Sequence, residues 1–239
     1  MKKLLYAFLL FPFFSSCDVA QQVLNDSTSA TSGTLSTADI VAGLKEALTI
    51  GTQNSTNQLS AVDGFFKDAA VKILMPPEAQ KVESTLRSLG FGSVVDKAIL
   101  SMNRGAEDAA KSATPIFVNA IKQMTITDAL GILKGGGNAA TNYFKDKTTA
   151  QLTQAFRPVI DKSLNKTDAT KYWSDVFSVY NRFATNKVET DLGAYVTGKA
   201  IDGIFYEVAL EEQKIRKDPA ARVTDILKKV FGSPQAQGK

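Results

Sequence analysis

The chain has 239 residues, 44% hydrophobic and 22% charged, the proportions of a globular protein rather than a disordered one. Its net charge of +4 is small and scattered, with Lys2 and Lys3 inside an N-terminal leader pattern, which argues against a nucleic-acid partner. There is no histidine and Cys17 is the single cysteine, which excludes imidazole-dependent nucleophilic catalysis, His/Cys zinc sites, c-type haem attachment and an intrachain disulfide.

Residues 1–16 read as a lipoprotein signal peptide. Lys2 and Lys3 supply the positive start, and Leu4–Phe14 is an apolar run well short of the roughly 20 residues a spanning helix needs. Phe14-Ser15-Ser16-Cys17 resembles a lipobox, with small residues just before the cysteine, although Phe14 stands where leucine is usual. Cys17 is therefore the expected lipid-attachment site, and the membrane is expected to be contacted through acyl chains, each buried methylene contributing about 0.8 kcal/mol. Residues 17–36 form a tether rich in Ser, Thr, Asn and Gln, with a root-mean-square reach of roughly 20–25 Å. Within it, Asp26-Ser27-Thr28 is similar to the short O-glycosylation sequon of Bacteroidota, which makes Ser27 a candidate for glycosylation against the plainer reading of a solvated linker. Asp18 beside the cysteine resembles the enterobacterial inner-membrane retention signal, but the Ser-Ser-Cys context looks more like Bacteroidota, where that rule does not hold securely; the expected location is the outer membrane, facing the periplasm or the cell surface.

Residues 37–232 carry helical periodicity almost throughout, and 233–239 read as a disordered tail. Ser36 and Asp39 open a helix with Ile40, Val41, Leu44 and Leu48, and the polar run Gly51–Asn57 predicts fraying or weak continuation to Leu59. Val71, Ile73 and Met75 alternate before Pro76-Pro77, which predicts one short strand. Pro77 suits the start of a helix to Leu89, stopped by Gly90. Phe91, Val94, Val95, Ala98, Ile99, Met102 and Ala106 mark a long amphipathic helix, and Thr114-Pro115 starts another. Thr127 begins a short helix ended by Gly135-Gly136-Gly137, and the longer helix after it should kink or break at Pro158. Trp173, Val176, Phe177 and Tyr180 line the next helix, Leu192–Ile215 form a long one, and Asp218-Pro219 caps the last, closed by Gly232. The expected fold is all-α, a single bundle-like domain of about eight to ten helices with at most one short strand pair.

Specific motifs cluster in the C-terminal half. Asp191-Leu192-Gly193-Ala194-Tyr195-Val196-Thr197, Asp202-Gly203-Ile204-Phe205, Glu211-Glu212 through Ile215-Arg216, Pro219, Arg222 and Lys229-Val230-Phe231-Gly232 together resemble the bacterial domain of unknown function 4197 family. Met102-Asn103-Arg104 with Glu107, and Ala139-Ala140-Thr141 with Tyr143-Phe144, support it upstream. The resemblance covers about residues 37–232. It implies a helical envelope domain, commonly behind a lipoprotein leader, and brings no catalytic residues.

Gly135-Gly136-Gly137-Asn138-Ala139-Ala140 fits a loosened dinucleotide fingerprint but follows a helix, so a helix stop and start explains it better, with a weak anion site as the residual reading. Ser163-Leu164-Asn165-Lys166 matches S-x-x-K without the companion motifs of penicillin-binding proteins. Asn103 and Glu107 flank an apolar face, with Arg104 and Asp108 expected to pair beside them, and suit helix capping or a polar pocket. Glu212 falls on the stripe of Ile201, Ile204, Phe205 and Val208, where a carboxylate needs a partner, and Arg216 and Arg222 are the nearest cations. The aromatic stripe from Tyr172 to Phe205 reads as core, or alternatively as a wall for a hydrophobic ligand. No cofactor or metal is expected. The leading functional expectation is a non-enzymatic cell-envelope lipoprotein that binds a protein partner or an assembly. The alternative is a carrier of a lipid or other apolar ligand, and an enzyme built on Glu107 and Glu212 is third.

Overall fold

A computed structural model describes residues 35–166, 169–182, 185, 187, 190–234 and 236. The leader, the tether with Cys17 and Ser27, and most of the C-terminal tail lie outside the described residues, as do the side chains of Tyr172, Val176 and Tyr180. Nine α-helices occur among the described residues: α1 Thr37–Ser60, α2 Gln80–Ser88, α3 Gly92–Ala110, α4 Ala113–Gln123, α5 Ile126–Lys134, α6 Ala139–Asn165, α7 Ala169–Tyr180, α8 Leu192–Lys217 and α9 Asp225–Phe231. Two 3-10 turns, Pro77–Ala79 and Pro219–Ala221, join them, and no strand is present among these residues.

The all-α class follows from sustained 3.6-residue periodicity that must be buried helix against helix. α6 packs on α3, α8 and α4, while α1 packs on α8, α4, α9 and α5. Phe117 of α4 meets Phe144 of α6 edge-on at 5.1 Å between ring centres and Phe205 of α8 at 6.2 Å, which joins three helices through one aromatic cluster. Gly203 in α8 is needed for its lack of a side chain: a Cβ there would stand 2.6 Å from the ring of buried Phe65. Among the described residues no single helix is long and apolar enough to cross a membrane; α4 and α5 reach that composition only as a pair bent by 105°.

Several local expectations are corrected. The polar stretch of α1 continues the helix to Ser60 rather than fraying; Gln53, Asn54 and Asn57 face water, while Gly51, Thr52, Ser55 and Thr56 on one side of it are buried. Their hydroxyls bond back to carbonyls of the same helix, Thr52 to Leu48 at 2.7 Å and Ser55 to Gly51 at 2.8 Å, so small polar residues line a close helix contact without orphaned groups. The alternation at Val71, Ile73 and Met75 reports burial but not a strand. Pro158 does not break α6, because it sits on an exposed face where water can take the carbonyl left free one turn earlier.

Helix starts shift in the same way. α4 begins at Ala113 after Ser112, ahead of Pro115. α5 begins at Ile126 under a reciprocal cap: Thr125 Oγ1 accepts from the Asp128 N–H at 3.1 Å and Asp128 accepts from the Thr125 N–H at 3.0 Å. Asp218 caps the 3-10 turn rather than the last helix, which Thr224 caps.

Candidate functional site

Asn103, Arg104 and Glu107 lie on α3 and bind the connector between α1 and the first 3-10 turn. Asn103 is 0% exposed and behaves as a missing strand partner: its Nδ2 donates to the Ile73 carbonyl at 2.8 Å and its Oδ1 accepts from the Ile73 N–H at 2.9 Å. The same Nδ2 also reaches the Ile99 carbonyl at 2.8 Å. One primary amide thus satisfies both backbone groups that a β-ladder would have paired, which explains an extended segment without a strand. Glu107 accepts from the N–H groups of Phe65 and Phe66, each at 3.2 Å, and from Arg104 Nη1. Arg104 Nη2 reaches Asp63 Oδ1 at 2.6 Å. Hydrogen bonds from Lys67 and then Arg104 hold the Asp63 carboxyl below its ordinary pKa. The expected Arg104–Asp108 pair does not form, since Asp108 points to Lys111 at 2.7 Å. The constellation holds a loop in place, and both Glu107 oxygens are spent on it.

Glu212, Arg216 and Arg222 perform a second structural task at the other end. Glu212 accepts from the N–H groups of Ala140 and Thr141 at 3.0 and 2.9 Å and from the Thr141 hydroxyl at 2.9 Å. It therefore sits on the first turn of α6, where unpaired amides and the helix dipole favour an anion. The weak anion site expected after Gly135–Gly137 is filled by the protein's own carboxylate. Arg216, one turn along α8, donates to Glu212 Oε1 from Nε at 3.0 Å and Nη2 at 2.9 Å, and from Nη2 to the Ile132 carbonyl at 2.7 Å near the end of α5. Arg222 does not meet Glu212; it closes α8 by donating to the carbonyls of Ile215 and Arg216 at 3.0 and 2.9 Å. The space beside this pair is a void of only 20 Å³.

Two buried acids escaped the sequence reading. Glu207 and Glu211 face the polar half of α1, and Glu211 accepts from Asn54 Nδ2 at 2.9 Å and from Lys214 Nζ at 2.5 Å. Removal from water, and then the charge of Asp68, push the Glu207 carboxyl above its ordinary pKa. Their signal was the breadth of burial on α8, which is covered on more than the one stripe that drew attention to Glu212. Among the described residues no group of three or more Asp, Glu or Cys side chains is placed to hold a metal ion. Ser163 and Lys166 do not converge either: Ser163 is buried near Gly105, while Lys166 is exposed.

A large apolar space among the described residues lies elsewhere. A half-open pocket of about 390 Å³ lies between the first 3-10 turn, α2, α3, α7 and the start of α8. Met75, Val82, Leu86, Met102, Trp173 and Phe177 form much of its wall, and Glu83, Lys97 and Lys166 stand among its lining residues. The short helix α2 is strongly amphipathic yet buries none of its residues, leaving Val82 and Leu86 half-covered over this space. Gly90, with φ +87°, permits the sharp turn into α3, and the corner exposes Leu89 (66%), Phe91 (53%) and Val94 (55%). Trp173 and Phe177 meet at 4.4 Å between ring centres with their planes tilted by 48°, and both line the pocket, so part of the aromatic stripe is pocket wall rather than closed core. A groove of 370 Å³ beside residues 70–74 is more polar, carrying Lys72, Lys199 and Asp202.

A family model described as a protein of unknown function, DUF4197, matches residues 34–232. No curated protein and no solved structure matches the chain.

Proposed function

The chain belongs to the DUF4197 family, and we propose that this member is a lipid-anchored, non-enzymatic envelope protein that carries an apolar ligand in the cavity beneath α2. The observation that carries the reading is the 390 Å³ apolar space roofed by a helix with no buried residue. Ligand sites are mostly apolar pockets of roughly 300–1,000 Å³, and this half-open one falls in that range. The polar clusters support the same reading, because Asn103, Glu107 and Glu212 are committed to backbone groups.

Anchoring through Cys17 would place the carrier at a bilayer surface, the outer membrane in this proposal, with its lipid as the membrane contact. Protein purified from its membrane and extracted with organic solvent should release a non-covalent amphiphile in stoichiometric amount. Filling the cavity by Ala98→Trp should abolish that recovery while the fold is kept. Recovery of an empty wild-type protein would overturn the proposal. The exposed corner at Leu89, Phe91 and Val94 favours a second reading, in which a protein partner docks there. Under that reading a partner co-purifies and is lost in Leu89→Ser/Phe91→Ser, whatever happens to the lipid.

A further inference from the structure

The cavity's rim carries charge as well as shape. Lys97 on α3 and Lys166 at the end of α6 both belong to the lining, and neither forms an ion pair among the described residues. The acid that shares the lining, Glu83, is already engaged by Arg87 at 2.9 Å, and the same guanidinium reaches Asp96 at 2.8 Å. The mouth of an apolar space therefore presents two cations with no carboxylate of their own. We infer, building on the carrier reading above, that the ligand is a single-chain anionic amphiphile, its tail in the cavity and its carboxylate or phosphate head held by Lys97 and Lys166.

The volume sets the tail. A cavity of about 150 Å³ takes the six carbons of benzene, so 390 Å³ takes roughly 15 carbons. That is one acyl chain rather than two. Charge sets the head, since an ammonium donates to carboxylate or phosphate oxygens through charge-assisted hydrogen bonds and offers nothing comparable to a neutral alcohol. Both lysines are exposed, so they can be changed without disturbing the core.

Trp173 is the only tryptophan in the chain and lines the cavity, which makes its emission a local reporter. The purified full chain, stripped of bound lipid and added to phosphatidylcholine vesicles, is titrated with a dibrominated fatty acid short enough for this volume, dibrominated laurate, and with the matching dibrominated lauryl alcohol. Bromine quenches Trp173 only from within contact range. The acid is expected to reach half-quenching at about one-tenth the concentration the alcohol requires. Lys97→Gln/Lys166→Gln should raise the acid to the alcohol's value and leave the alcohol unchanged. Displacement of the quencher by palmitate assigns a carboxylate head, and displacement by hexadecyl phosphate assigns a phosphate head. Equal quenching by acid and alcohol in the wild type would overturn the assignment of an anion while leaving the carrier reading intact. No quenching by either would overturn both.

Discussion

Replacing Glu212 by alanine tests how the helices are joined. The Glu212 side chain is 5% exposed and its carboxylate accepts from two backbone amides and one hydroxyl of α6 and from two nitrogens of Arg216. Truncation leaves the Ala140 and Thr141 amides without an acceptor and strands a guanidinium whose side chain is only 14% exposed. Breaking a buried pair by removing one partner costs about 3–5 kcal/mol. Arg216 keeps its bond to the Ile132 carbonyl, which argues for the lower half of that range. For a chain of this size about 3 kcal/mol lowers Tm by roughly 6–12 °C. Glu212→Gln keeps one oxygen but turns an N–H toward donors, and should cost about 2 kcal/mol. Far-UV circular dichroism during urea and thermal unfolding reads both. Alanine and glutamine variants unfolding within about 0.5 kcal/mol of the wild type, the range of ordinary surface changes, would refute the view that this carboxylate holds α6 to α8.

Asn103→Ala should destabilise by about 2–3 kcal/mol, since it orphans the buried N–H and C=O of Ile73, and hydrogen exchange should rise first in residues 71–75. Glu207 should make stability fall as pH rises: its folded-state pKa lies above the unfolded value, so the folded chain holds the proton more tightly between the two. Glu207→Gln should therefore raise Tm at neutral pH, with the gain vanishing below the ordinary glutamate pKa; an equal gain at all pH values would exclude the effect. Cys17→Ala should abolish incorporation of labelled palmitate and release the chain from the membrane fraction, and continued sedimentation with membranes would refute lipid anchoring.

Most of the helices were legible in the sequence because each is written locally. Periodic apolar residues report the buried face, and Gly90, Gly135 and Gly232 mark ends that the structure keeps. The family motifs pointed to polar positions on α3 and α8 but could not say what they touch. Asn103 meets a residue 30 positions away, Glu107 meets residues 41 and 42 away, and Glu212 meets residues 71 and 72 away. A polar side chain on an apolar stripe declares that it needs a partner; only the packing of distant helices supplies one.

The sequence by itself determined the helical class and the absence of histidine, both of which depend on composition and short-range spacing. The tertiary structure decided that Ile73 pairs with an amide side chain instead of a strand, that Arg216 rather than Arg222 answers Glu212, and that α1 buries Thr52, Ser55 and Thr56. It also decided the cavity under α2. A cavity is the mismatch between surfaces brought together from distant parts of the chain, so no periodicity within one helix can encode it.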